Sequence, residues 1–137
     1  MLRSLIAIIA AVLVGLIISK FVESTGQSAL GQEAEIFADH APSGVYQAIL
    51  LAGWMAGAFF AGVIALLIGR RWAPLGALAA GTMFFSAIIA QASFSLSWLL
   101  LPAAALVTAA GGYAAIRLLG ATNQYPAPGR NQDIFND

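Results

Sequence analysis

The residues of this chain that could do chemistry are few, and the first pair is Lys20 and Glu23 in the stretch ISKFVESTGQ. They stand at the end of an apolar run, three residues apart, so that on a helix they would form an i, i+3 ion pair. A carboxylate inside a bilayer is a cation or proton site by default. However, Ser24, Thr25 and Gly26 follow at once, which favours an anchor where the first helix leaves the lipid. A transport carboxylate is the alternative.

A second group of chemically capable residues lies in the next segment, which holds the only histidine of the chain. A metal ion needs three or four ligands, and the candidates here are Glu33, Glu35, Asp39 and His40. They would bind a metal only if the segment folds favourably, and an ordinary solvated loop explains them more simply. We therefore predict neither a metal site nor a cofactor.

No catalytic machinery is recognisable in the sequence. It shows no nucleophile with a base, no paired catalytic carboxylates and no phosphate-binding glycine loop. Cysteine is absent, which removes disulfides and thiol chemistry. The net charge is zero and the largest basic cluster is the pair Arg70 and Arg71, so a nucleic-acid partner is not expected. We predict that the protein is not an enzyme.

The composition is that of an integral membrane protein. Of 137 residues, 61% are hydrophobic and 9% are charged, whereas a soluble domain carries about a quarter charged residues. The segment 72–116 contains no Asp, Glu, Lys or Arg. Such a surface is compatible only with the lipid bilayer as a partner.

The apolar runs predict an all-α bundle of four transmembrane helices, at about 2–22, 45–69, 73–91 and 99–119. The first would be about 31 Å long, close to the roughly 30 Å of hydrocarbon. The uncharged segment 72–116 is more than twice too long for one crossing. It therefore has to fold back on itself, and the stretch QASFSLSW, residues 91–98, is the only polar cluster at which it could do so.

Two segments lie outside the predicted membrane domain, 1–120. The outer loop, 23–44, has apolar residues at helical spacing and predicts a short amphipathic helix at the interface. The tail, 121–137, is polar and has too few apolar residues for a core.

Five of the six basic residues fall on one side of this topology: Arg3, Arg70, Arg71, Arg117 and Arg130. The positive-inside rule then puts both termini in the cytoplasm. The membrane itself is expected to be a bacterial inner membrane.

Small residues recur at four-residue spacing on every predicted helix. In lipid, helices associate where small side chains let their backbones approach. For each motif, packing inside the chain's own bundle is the simpler explanation, and contact with another subunit or a second copy is the alternative. The candidate interface positions are Gly15, Gly53, Gly57, Gly81, Thr108 and Gly112.

Polar side chains inside the predicted helices are also few: Gln47, Thr82, Ser86, Gln91 and Thr108, with Tyr46 and Tyr113 nearer the helix ends. They could line a small hydrophilic path. Hydrogen bonds between helices, or to the backbone of their own helix, would account for them more simply.

Three features resemble a widespread group of small four-pass bacterial membrane proteins of unknown function. They are Glu23 and Gly26 near the end of the first helix, the stretch AGWMAGAFFAGVIALLIGRR at 52–71, and Trp98 before the fourth helix. The resemblance would cover the chain from Met1 to about Gly120. Members often carry a His after the Gly and a His-Pro pair before the fourth helix, where this chain has Gln27 and the serine-rich stretch. The resemblance implies the topology and no activity.

Three functions follow as hypotheses. The first is a non-catalytic accessory or scaffold subunit that packs against a larger membrane complex through its small-residue helix faces. The second is a small oligomeric transporter or channel with a polar path near Glu23, Gln47 and Gln91. The third is an outer-face metal sensor that uses the acidic residues and the histidine of the outer loop.

Overall fold

In a computed structural model, residues 2–30, 44–94 and 98–124 are described. They form four helices: α1 Leu2–Leu30, α2 Gly44–Ile68, α3 Ala73–Phe94 and α4 Leu100–Leu118. All four are long and apolar enough to cross a membrane, because each offers at least 18 residues of high mean hydropathy. The prediction of an all-α chain with four such helices is confirmed.

The end predicted for the first helix is wrong. α1 continues past Val22 to Leu30, so the predicted loop 23–44 begins two turns too early. The reason is packing: Gly26 lies so close to α2 that a Cβ there would be 2.8 Å from Ile49 Cγ2, and Gln27 is buried. Polar residues that looked like a helix exit are held in the helix by its neighbour.

The other helix ends fall nearer to their predicted places. α2 and α4 differ from the prediction by one residue at each end, whereas α3 runs on to Phe94 instead of ending at Gln91. Pro74 and Pro102 both lie in the first turn of their helices, where a missing N–H removes no helical hydrogen bond. The predicted amphipathic helix falls mostly on residues 31–43, outside the described residues, as does the tail from residue 125 onward.

The central element of the bundle is α2, which packs against α1, α3 and α4. Within the described residues α1 and α4 do not meet. The buried core consists mainly of alanines, among them Ala11, Ala58, Ala61 and Ala79. Its larger side chains include Trp54, Tyr46, Leu66 and Met83. Helices with such small contact residues approach closely, which is how helices associate in lipid.

Backbone hydrogen bonds tie the segment after α4 to the α2–α3 connection. Arg70 and Arg71 end α2 with φ of 56° and 59°, a left-handed conformation that is unfavourable for residues other than glycine. The Thr122 N–H then donates to the Arg71 carbonyl at 3.0 Å, and the Ala73 N–H donates to the Thr122 carbonyl at 2.9 Å. These two hydrogen bonds hold the segment after α4 beside the start of α3.

The described charges lie at the two opposite ends of the bundle. Arg3 and Glu23 are separated along α1 by about 30 Å, which equals the hydrocarbon thickness of roughly 30 Å. The arginine end holds Arg3, Arg70, Arg71 and Arg117, and there Arg3 Nε donates to the Ile68 carbonyl at the end of α2, at 2.7 Å. The opposite end of the bundle holds Lys20 and Glu23.

Candidate functional site

Glu23 is the centre of a hydrogen-bonded cluster between α1 and α2. Its Oε2 accepts from Lys20 Nζ at 2.7 Å. Its Oε1 accepts from the Tyr46 hydroxyl at 3.1 Å and from Gln27 Nε2 at 3.4 Å. The side chain of Glu23 is 15% exposed, whereas that of Lys20 is 71% exposed. Groups on α1 and α2 therefore hold the carboxylate, and the exposed Lys20 side chain places its ammonium group at Oε2.

The interpretation of Glu23 as an anchor where α1 leaves the lipid stays a prediction, but its placement at the end of the helix is wrong. The predicted i, i+3 pair with Lys20 is confirmed. However, Glu23 lies two turns inside α1 and its side chain packs against α2. Because Tyr46 reaches it from 23 residues along the chain, the carboxylate joins two helices instead of facing solvent.

Beside Glu23 lies a cavity of about 210 Å³ enclosed by α1, α2 and α3. Its polar lining consists of Ser19, Lys20, Glu23, Tyr46, Trp54, Ser86 and Ser93. The Ser86 hydroxyl donates to the Met83 carbonyl at 2.7 Å and the Ser93 hydroxyl to the Ile89 carbonyl at 2.9 Å. Both hydroxyl oxygens therefore keep lone pairs with which to accept a hydrogen bond.

Ser19 and Trp54 also line this cavity, from α1 and α2. Both residues are buried, with exposed fractions of 7% and 5%. The Ser19 hydroxyl and the Trp54 indole N–H are polar groups that could bind a small hydrogen-bonding occupant. The sequence does not single out Ser19, because a single serine in an apolar run carries no signal.

A groove between α1 and α3 continues the cavity toward the middle of the bundle. It has a volume of about 560 Å³, and it shares Leu16, Ser86 and Ile89 with the cavity. Thr82 also lines it, with its hydroxyl donating to the Ala79 carbonyl at 2.7 Å. The structure thus brings Glu23, Ser86 and Thr82 along one continuous surface.

Two residues of the predicted polar path lie elsewhere. Gln47 and Gln91 are half-buried, and neither lines the cavity or the groove. Each has interactions of its own. On α3, the polar side chains that line the cavity and the groove are therefore serines and a threonine, and not the glutamine.

The small residues of α1 and α2 are used inside the bundle. A Cβ at Gly57 would lie 2.8 Å from the Gly15 carbonyl oxygen, and one at Gly15 would lie 2.8 Å from Met83 Sδ. A Cβ at Gly53 would lie 3.0 Å from the Ser19 carbonyl oxygen. For these three glycines, the prediction of packing within the chain's own bundle is confirmed.

On α3 and α4, two of the predicted small-residue positions are packed inside the bundle and one is not. Thr108 is 2% exposed and donates to the Ala104 carbonyl at 2.7 Å, and a Cβ at Gly112 would lie 2.5 Å from Ala80 Cβ. Gly111, which the spacing did not single out, packs equally closely, 2.6 Å from the Met55 carbonyl oxygen. Gly81 is exposed and a Cβ there would meet no atom within 4 Å. Of the six predicted positions, Gly81 is the one that the bundle leaves open.

No cluster of metal-ligating side chains lies at the cavity among the described residues, where Glu23 is the one carboxylate. Within residues 2–30, 44–94 and 98–124, no three side chains of His, Cys, Asp or Glu come together. The four weak metal candidates, Glu33, Glu35, Asp39 and His40, lie outside the described residues.

Comparison of the chain with protein-family models, with curated proteins and with solved structures finds no match. The resemblance to small four-pass bacterial proteins stays a prediction, and the function has to be argued from the site.

Proposed function

We propose that the protein is a small oligomeric transporter or channel of a bacterial inner membrane that binds a small cation at Glu23. The observation that carries the proposal is the partly buried carboxylate of Glu23 at a cavity that has several polar side chains in its wall and adjoins a groove. Acidic residues within membrane helices mark ion pathways by default. An apolar helix–helix contact would need neither the carboxylate nor the cavity.

The cluster can exchange one cation for another. The Lys20 ammonium neutralises Glu23, but its side chain is largely exposed and is free to rotate toward solvent. A small cation entering the cavity would replace it at Oε2, while Tyr46 and Gln27 continue to hold Oε1. The hydroxyl oxygens of Ser86 and Ser93 supply further acceptors.

We propose an oligomer because the groove between α1 and α3 needs a further wall to become a closed path. The groove between α1 and α3 is open on its outer side, where Leu78 and Phe85 are 52% and 62% exposed. Gly81 lies between them on the same face, and its small size permits close approach of another helix. A second copy seated there would cover the groove and complete the wall of the path.

The arrangement of charges supports an orientation. The arginine end carries four of the described cations, and the Glu23 end carries one. By the positive-inside rule the arginine end, with both termini, is cytoplasmic. The cavity beside Glu23 would then open toward the outer side of the membrane.

The proposal is tested by cation flux into vesicles. The purified full chain is reconstituted in liposomes, and the entry of H⁺, K⁺ and methylammonium is followed separately. The wild type should admit at least one of them faster than empty vesicles do, and Glu23→Gln should return that flux to the level of empty vesicles. Lys20→Gln is the matched control, because it removes a charge from the same cluster and leaves the carboxylate in place.

A second candidate function is the accessory or scaffold subunit. The open face around Gly81 favours it, since that face could seat a helix of a different membrane protein. Five of the six small-residue positions that motivated this hypothesis are, however, occupied inside the bundle. Mass spectrometry of subunits that co-purify in mild detergent separates the two functions. A stoichiometric foreign subunit retained by Glu23→Gln would support the scaffold.

A further inference from the structure

We propose that the groove between α3 and α4 binds one anionic phospholipid from the leaflet at the arginine end. One acyl chain would lie along the groove and the phosphate would lie at Arg117. This site is separate from the Glu23 cavity and does not depend on the proposed transport function.

The groove has the shape and lining that an acyl chain requires. It has a volume of about 500 Å³ and an almost entirely apolar lining: Ala77, Ala80, Gly81, Phe84, Ala105, Thr108, Ala109, Gly112, Tyr113 and Ile116. Two of these residues carry a hydroxyl, Thr108 and Tyr113, and that of Thr108 donates to its own helix. Ala109 and Tyr113 are exposed, so that a lipid can enter from the side.

The length of the groove matches one leaflet. From Ala105 to Ile116 it follows α4 for about 16 Å, which is half of the roughly 30 Å of hydrocarbon. One acyl chain of a lipid in the leaflet at the arginine end therefore fits along it.

The charge at the mouth of the groove selects an anionic headgroup. The Arg117 guanidinium lies 5.9 Å from the centroid of the Tyr113 ring, which forms the outer part of the groove. Arg71 lies at the same end, since its carbonyl accepts from Thr122 just beyond α4. Among the described residues the only acidic side chain is Glu23, at the opposite end. Arginine binds phosphate oxygens through its fork of N–H donors.

The test is native mass spectrometry of the full chain in a neutral detergent, titrated with dioleoyl phosphatidylglycerol or dioleoyl phosphatidylcholine. The wild type should bind one phosphatidylglycerol at least tenfold more tightly than phosphatidylcholine. Arg117→Gln should weaken phosphatidylglycerol about fivefold, which corresponds to one basic residue near a lipid headgroup, and should leave phosphatidylcholine unchanged. Ala109→Leu, which fills the groove at an exposed position, should weaken both lipids.

Lys20→Gln is the matched control, because it removes one cation at the opposite end and should not change either affinity. The proposal is overturned if Lys20→Gln and Arg117→Gln lower phosphatidylglycerol binding equally, since the attraction is then unspecific. It is also overturned if glycerol 3-phosphate competes as well as the whole lipid, which would make the site an anion site without a chain. If Ala109→Leu dissociates a dimer and leaves lipid binding unchanged, a second copy occupies the groove instead.

Discussion

The hydroxyl of Tyr46 on α2 donates a hydrogen bond to Glu23 Oε1 on α1 at 3.1 Å, across 23 residues of sequence. This contact makes Glu23 part of a helix–helix interface while its other oxygen keeps Lys20. It also fixes the carboxylate at the wall of the cavity. The same bond therefore serves the packing of α1 on α2 and the position of the proposed cation site.

Removal of the Tyr46–Glu23 hydrogen bond should destabilise the bundle and leave the charges of Lys20 and Glu23 in place. In Tyr46→Phe, Glu23 loses its donor from α2, and because bonds to charged groups contribute about 1.5–3 kcal/mol, we expect a loss at the lower end of that range. Thermal unfolding in detergent measures it. Tyr113→Phe is the matched control, since Tyr113 is 62% exposed and should unfold like the wild type. Equal stability of Tyr46→Phe and Tyr113→Phe would argue against the bond.

The glycines of the α1–α2 contact should not tolerate a methyl group. In Gly57→Ala the new Cβ would lie 2.8 Å from the Gly15 carbonyl oxygen and 2.7 Å from Met83 Cε, so the helices must separate. Overpacking of this kind destabilises by about 1–3 kcal/mol. Gly81→Ala meets no atom and should be neutral or slightly stabilising, because alanine is the better helix former. The account of the packing fails if the two variants unfold at the same temperature.

The turn after α2 should be relieved by glycine. Arg70 has φ of 56°, and a left-handed conformation costs an L-residue about 1–2 kcal/mol. Arg70→Gly should therefore be more stable than Arg70→Ala by about 1 kcal/mol, with the lost charge common to both variants. Parallel melting curves in detergent make the comparison. An alanine variant as stable as the glycine variant would mean that this turn is not strained.

The proposed oligomer can be tested by cross-linking, because the chain contains no cysteine. A single cysteine in Phe85→Cys, on the open face of the α1–α3 groove, should form a disulfide-linked dimer in oxidised membranes. Leu106→Cys is the control: Leu106 is 73% exposed but lies on α4, away from that groove. Similar cross-linking at both positions would indicate random encounter and not a specific contact.

Hydropathy predicts the four helices well because the bilayer imposes their length and composition. The ends of α2 and α4 are also readable, since Arg70 and Gly120 stand directly after apolar runs. The end of α1 is not readable, because the helix is prolonged by the contact of Gly26 with Ile49 of another helix. Sequence places a residue on a helix, but it does not show what a neighbouring helix offers it.

The candidate site could be predicted only in part for the same reason. The spacing of Lys20 and Glu23 is local and predicts their ion pair correctly. Tyr46, Ser19 and Trp54 join Glu23 through the rotation of α1 on α2, and no periodicity encodes that rotation. Likewise, small residues at the same four-residue spacing differ in their packing: Gly57 is packed against α1, whereas Gly81 faces outward.

The central claim is that the Glu23 carboxylate carries a cation, and the most direct test is flux through Glu23→Gln in proteoliposomes. The variant keeps the size of the side chain and one oxygen that can accept from Tyr46, while its NH2 group can no longer accept from Lys20. A melting curve verifies that the fold persists. We predict that wild type and Lys20→Gln admit H⁺, K⁺ or methylammonium and that Glu23→Gln admits none above empty vesicles. Undiminished flux in a folded Glu23→Gln, or no flux in the wild type, would contradict the account.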